Sequence, residues 1–244
     1  MVTPYMVLFS GQNLRNTVEW AIVSTMTAIR AFFYISILGA IGLSSATASD
    51  KSSQDLKREL AETYGLEAFS DINKVSFTFL VDFGQGTAVE RQWEWNPGMN
   101  EVTFFPSDGN SVTFDRQDPG QADLAAKFVN DSYWLVFPFM AYWDDTAVLT
   151  EAPKLVDAPL SGTPMRKITV DHPADVGFTP GDAYDLYLDG EGVVREWVFR
   201  KGGQPEPSRI TTWEDYQDFS GIQIALDHIN PDGFRVYFEN VSVE

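Results

Sequence analysis

Along residues 75–83 apolar and polar side chains alternate. Val75, Phe77, Phe79, Val81 and Phe83 share one face, and Ser76, Thr78, Leu80 and Asp82 the other. A period of two predicts a half-buried strand. Gly84–Gln85–Gly86 supplies a turn. Alternation then resumes, with Val89, Trp93 and Trp95 on one face and Glu90, Gln92, Glu94 and Asn96 on the other, up to a turn at Pro97–Gly98. Short strands are expected at 102–105 and 111–114. More are expected at 165–170, 184–188, 193–200, 209–216, 222–226 and 234–243, with Asp189–Gly190–Glu191–Gly192 as a hairpin turn.

Two stretches have a different period. Leu56, Leu60 and Tyr64 recur every fourth residue, which predicts a helix over 55–64 stopped by Gly65. Residues 121–129 have helix-favouring composition, and Asp118 with Pro119 offers a start. Residues 133–137 read as a fully buried strand ended by Pro138, followed by a loop or short helix over 140–145. Together these predict a mainly β fold: a curved antiparallel sheet or half-open β-barrel of about 9–11 strands, with two or three helices covering its mouth.

The N-terminal region has the pattern of an address rather than of a fold. After Met26 come a basic position (Arg30), an apolar run from Ala31 to Leu43 and the small-residue site Ala46–Thr47–Ala48. This is the layout of a secretory signal over 26–48, with cleavage after Ala48. Its apolar run is shorter than the ~20 residues a spanning helix needs. Residues 1–25 fit no signal pattern and are consistent with an over-extended start, so 1–48 form the signal region and 49–244 a single domain.

Composition narrows function. The 244 residues carry 35 acidic and 17 basic side chains, a formal net charge of −18. Broad nucleic-acid binding needs basic residues to neutralise phosphates and is excluded. No cysteine is present, so disulfides, thiolate metal sites and a cysteine nucleophile are excluded too. His172 and His228 each lie beside aspartates but share no ligand spacing, and turn chemistry accounts for both. Asp144 and Asp145 are adjacent, whereas a glycosidase needs two carboxylates facing each other across a cleft. No nucleophile, phosphate or dinucleotide motif occurs, so no catalytic residue, metal or cofactor is expected.

The informative feature is the aromatic content, 14% of the chain. A curled sheet with few helices to fill it encloses space, and an enclosed space lined with rings suits apolar ligands. The candidate cavity residues are Phe77, Phe79, Trp93, Trp95 and Phe104, together with Tyr133, Phe137, Tyr184 and Trp197. Phe139, Tyr142 and Trp143 are candidates for the mouth or lid. Trp93 and Trp95, two apart on one face, also suit a stacking platform for sugars, and plain core packing remains open for every ring.

Several segments carry a resemblance. They are the W-x-W strand (Trp93, Trp95), the N-D-x-Y-W-L segment (Asn130, Asp131, Tyr133, Trp134, Leu135) followed by Pro138, and the V-G-x-T-P-G-D-x-Y run (Val176, Gly177, Thr179, Pro180, Gly181, Asp182, Tyr184). A turn and strand with Gly190, Val194 and Trp197 follow. Over about residues 55–244 the chain resembles an exported bacterial family of unknown function. More distantly it is similar to the lipoprotein-localisation carriers, the LolA/LolB-like fold. The resemblance implies a half-open barrel with helices plugging its mouth, a hydrophobic cavity for a lipid or lipidated ligand, and no catalytic residues. Those carriers gate through an arginine, for which Arg91 is the candidate here.

The expectation is therefore an exported, periplasmic or extracellular, monomeric binder or carrier of a lipid or other apolar ligand, including a lipidated protein. It would be non-enzymatic, with no nucleic-acid partner and no membrane span after cleavage. The alternatives are a carbohydrate-binding or glycan-acting envelope protein using tryptophan platforms, and a structural envelope protein with a solid core.

Overall fold

The computed structural model describes residues 51–175 and 179–244. The signal-like segment lies outside the described residues. Helix α1 (Ser53–Thr63) starts at a reciprocal cap: the Asp55 amide donates to the Ser52 hydroxyl and the Ser52 amide donates to the Asp55 carboxylate. Gly65, at φ 95°, turns the chain into the short helix α2 (Leu66–Ser70). There follow β1 (Val75–Phe83), β2 (Thr87–Asn96), β3 (Glu101–Phe105) and β4 (Val112–Asp115), then α3 (Ala122–Trp143). The rest is β5 (Val148–Glu151), β6 (Val156–Asp157), β7 (Pro164–Asp171), β8 (Ala183–Leu188), β9 (Val194–Arg200), β10 (Arg209–Thr212), β11 (Glu214–Phe219), β12 (Ile222–Ile229) and β13 (Phe234–Val243).

The strands form two open antiparallel sheets. One has the order β11-β12-β13-β1-β2-β3-β4; the other runs β10-β9-β8-β7-β5, with β6 paired to β7. The sheets meet where the chain passes from β10 to β11 with Trp213 alone between them, its amide donating to the Arg195 carbonyl at 2.8 Å. At the far edges, β4 and β5 are joined through α3. The described residues thus hold thirteen strands in a curved, open, mainly β fold. Beyond the expected strands lie β5 and the two-residue β6, too short to show alternation, and the 209–216 run is divided by Trp213.

Register explains the core. Phe77 lies opposite Trp93, and Trp93 opposite Phe104; one row over, Val75 faces Trp95 and Trp95 faces Val102. Phe128 of α3 packs on Phe77, Trp93 and Trp95 at centroid distances of 6.4, 5.6 and 5.6 Å.

The strand expected over 133–137 is a correction: these residues belong to α3, which spans Ala122 to Trp143 with a kink at Val136. A helix buried on both faces shows the same continuous apolar run as a buried strand, so periodicity does not separate them. Pro138 does not end the helix; it sits within it. Lacking an N–H, it cannot bond the Trp134 carbonyl, and the backbone bends at Val136 (φ −130°, ψ 33°).

Candidate functional site

A cavity of about 610 Å³ lies between the two sheets and α3. Period-two alternation builds its walls. Phe79, Val81 and Phe83 of β1, Val89 and Arg91 of β2, and Phe234 and Val236 of β13 come from one sheet. Tyr184 of β8 and Trp197 and Phe199 of β9 come from the other. The third wall is a helical stripe: Asp123, Ala126, Lys127, Asn130, Tyr133 and Trp134, spaced three and four apart on one face of α3. The opposite face, with Ala125, Phe128, Val129 and Leu135, is buried in the core. Lys201, Ser208 and Arg209, around the β9–β10 connection, complete the lining. Phe83, 48% exposed, stands at the open end against Phe234 (5.7 Å). A larger but more open hollow of about 770 Å³ lies at the α1–α2 junction, among Arg58, Glu62, Glu67 and Asp71, and has no aromatic wall.

The deep wall is aromatic. Trp197 meets Trp134 at 4.8 Å and Tyr184 at 5.0 Å, and Tyr184 lies nearly parallel to Phe199 at 5.2 Å. Burial pushes the phenols of Tyr133 and Tyr184 above their ordinary range, so both are neutral at pH 7.

One ion pair is built into the wall. Arg91 donates from Nε and Nη2 to the two oxygens of Asp131, each at 2.6 Å. Asp131 is fully buried and also accepts from Trp93 Nε1 at 2.8 Å and from Asn130 at 3.0 Å. Burial pushes its carboxyl upward; the guanidinium and the two neutral donors pull the other way.

The two histidines lie behind the aromatic wall. His172 Nδ1 is 3.1 Å from Asp144, its ring lies against Tyr133 and Tyr184, and burial lowers its pKa. His228 packs between Trp213 (4.6 Å) and Trp134 (5.5 Å) and is lowered by burial to about 3. Neither is poised beside a nucleophile. Among the described residues no cluster of three or more metal-ligating side chains occurs.

Of the rings singled out in the sequence, Phe79, Tyr133, Tyr184 and Trp197 line this cavity. Phe77, Trp93, Trp95 and Phe104 do not; they pack with Phe128 in the adjoining core. Phe137 sits behind the wall, 5.1 Å from both Tyr184 and Trp197. Phe139 and Trp143 lie at the far end of α3 against Phe69 of α2 (4.6 and 5.1 Å), and Tyr142 is half-buried beside the core. None of these three is at the cavity opening. The sequence pattern hides the stripe on α3, with Lys127 and Trp134, because a helix over 121–129 and a strand over 133–137 divide its residues. Read as one helix, their spacing reveals it.

No family model and no curated protein sequence matches the chain. Among solved structures it is similar to a DUF1329 family protein from Desulfovibrio piger, at 8% identity and a TM-score of 0.45, over 79% of this chain and 92% of that one. It is also similar to a LolA superfamily protein from Nitrosomonas europaea, at 7% identity and a TM-score of 0.44, over 80% of this chain and 94% of that one.

Proposed function

We propose that the protein binds a lipid-like molecule in the cavity between its two sheets and α3, and carries it without performing chemistry on it. The supporting observation is the cavity itself. Its 610 Å³ falls within the ~300–1,000 Å³ usual for small-molecule sites, and its walls are mainly rings and aliphatic side chains from the two sheets and α3. Each methylene withdrawn from water there contributes ~0.8 kcal/mol, so an acyl chain supplies ample affinity. The ligand is a free lipid, another apolar molecule, or the acyl chain of a lipidated protein.

The signal-like pattern of residues 26–48 supports export to the periplasm or extracellular space, and the high negative charge supports a monomer. Among the described residues no helix is long and apolar enough to cross a membrane. The burial of Trp93 and Trp95, at 0% and 2% exposure, weighs against a sugar platform, because a platform must be reachable. The hollow of about 610 Å³ favours a binder over a structural protein with a solid core.

The test is incubation with a native lipid extract, re-purification and mass spectrometry of the intact complex. A retained lipid in stoichiometric amount supports the proposal. Ligand-free protein from every preparation would defeat it.

A further inference from the structure

The charges around the cavity run against those of the chain. Acidic residues outnumber basic ones two to one overall, yet the cavity lining holds four basic residues, Arg91, Lys127, Lys201 and Arg209, against one acidic residue, Asp123. Arg91 is committed to Asp131. The other three come from separate places in the sequence: α3, the turn after β9, and the start of β10. Arg209 holds its guanidinium 3.8 Å from the centroid of Phe234, a wall residue, and its nearest carboxylate, Asp232, is at 4.0 Å, the outer limit of an ion pair. Among the described residues, neither Lys127 nor Lys201 has a carboxylate within that limit.

A lysine beside an apolar wall can simply lay its stem on it and keep its amine in water. That accounts for one cation. It does not account for three, from three elements, lining one greasy cavity of a strongly acidic protein. Like charges gathered beside low-dielectric walls repel one another unless an anion sits among them.

Resting on the lipid-binding proposal above, we propose that the occupant is an anionic amphiphile. Its chain lies against Phe79, Tyr184 and Trp197, and its carboxylate or phosphate head is held by Lys127, Lys201 and Arg209. The head sits where the pocket opens, so the chain enters the aromatic interior and the charge stays near water.

Four ligands sharing one tail separate the possibilities: laurate, dodecyl phosphate, 1-dodecanol and dodecyltrimethylammonium, each titrated calorimetrically into the full chain. At low salt at least one of the two anions should bind about tenfold or more tighter than the alcohol, with the cation weakest. The preference should shrink as salt is added. Which anion binds tighter distinguishes a carboxylate from a phosphate head. Lys127→Gln with Lys201→Gln should bring the anion-to-alcohol ratio to within about twofold of unity. Lys154→Gln, exposed and away from the cavity, should leave that ratio as it is. Equal binding of alcohol and anions would overturn the head-group assignment and leave lipid binding standing. Binding of none of the four would overturn both.

Discussion

Arg91 and Asp131 clasp strand β2 to helix α3 through two parallel hydrogen bonds of 2.6 Å. The carboxylate has no solvent contact, while the guanidinium keeps 20% exposure at the cavity wall. Removing one partner of a buried pair strands the other. Asp131→Asn is therefore expected to lose about 3 kcal/mol of stability in urea titration. The double change Arg91→Met with Asp131→Leu should recover most of that loss. A single variant within 0.5 kcal/mol of wild type, on the scale expected of a neutral surface change, would contradict the role given to the pair.

Two buried tryptophans, one in each sheet, should respond differently to the same substitution. Trp93 donates its indole N–H to Asp131, whereas the Trp197 N–H is buried without a partner among the described residues. Trp93→Phe deprives a buried carboxylate of a donor and should cost about 1–3 kcal/mol more in denaturant titration than Trp197→Phe. Trp197→Phe, in the wall, should be the one that changes ligand affinity.

Filling the hollow tests its use. Ala126 lies on the cavity face of α3. Ala126→Phe should keep the fold, judged by circular dichroism, and cut lipid retention in the mass-spectrometric assay by tenfold or more, an effect of ~1.4 kcal/mol. Undiminished retention would place the ligand elsewhere.

His228 predicts an acid dependence. Its folded value is about 3 against 6.5 for an ordinary imidazole. Between those pH values the unfolded chain binds a proton at this side chain and the folded protein does not. Stability therefore falls as pH drops from about 6.5 towards 3, by up to ~1.4 kcal/mol per pH unit, and this contribution levels off below. Comparing stability at pH 7 and pH 4, His228→Phe should show a smaller loss than wild type. Equal losses would mean that the imidazole titrates freely.

Gly65 is fixed by backbone geometry. It adopts φ 95°, and a Cβ there would come within 2.1 Å of the Gly221 carbonyl oxygen. Gly65→Ala should therefore cost about 2 kcal/mol or more, lowering Tm by roughly 4–8 °C for a chain of this size. An unchanged melting temperature would show that α2 is free to shift away.

Much of this was legible in the residues. The alternation in β1 and β2 and the Asp189–Gly192 turn predict the strands that form, because the apolar rows Val75, Phe77, Phe79, Val81 and Trp93, Trp95 lie in the core. The 133–137 stretch misleads because α3 buries both of its faces, one in the core and one on the cavity. The cavity is harder to read for a related reason. Phe77 and Phe79 share one strand face, two residues apart, yet Phe128 covers the first and the second borders open space. That difference is set by where α3 crosses the sheet, which no pattern local to β1 records. The basic residues of the cavity lining come from distant segments and share it only through tertiary structure.

The single-residue passage at Trp213 has a mechanical consequence. With one residue of slack, the two sheets cannot part on that side without unzipping β10 from β9 or β11 from β12. On the opposite side no strand pairing holds them among the described residues, and α3 with its bend at Val136 is the covalent bridge. The molecule is thus stitched along one margin and laced along the other, and any breathing that lets a bulky guest in or out must occur at the laced side.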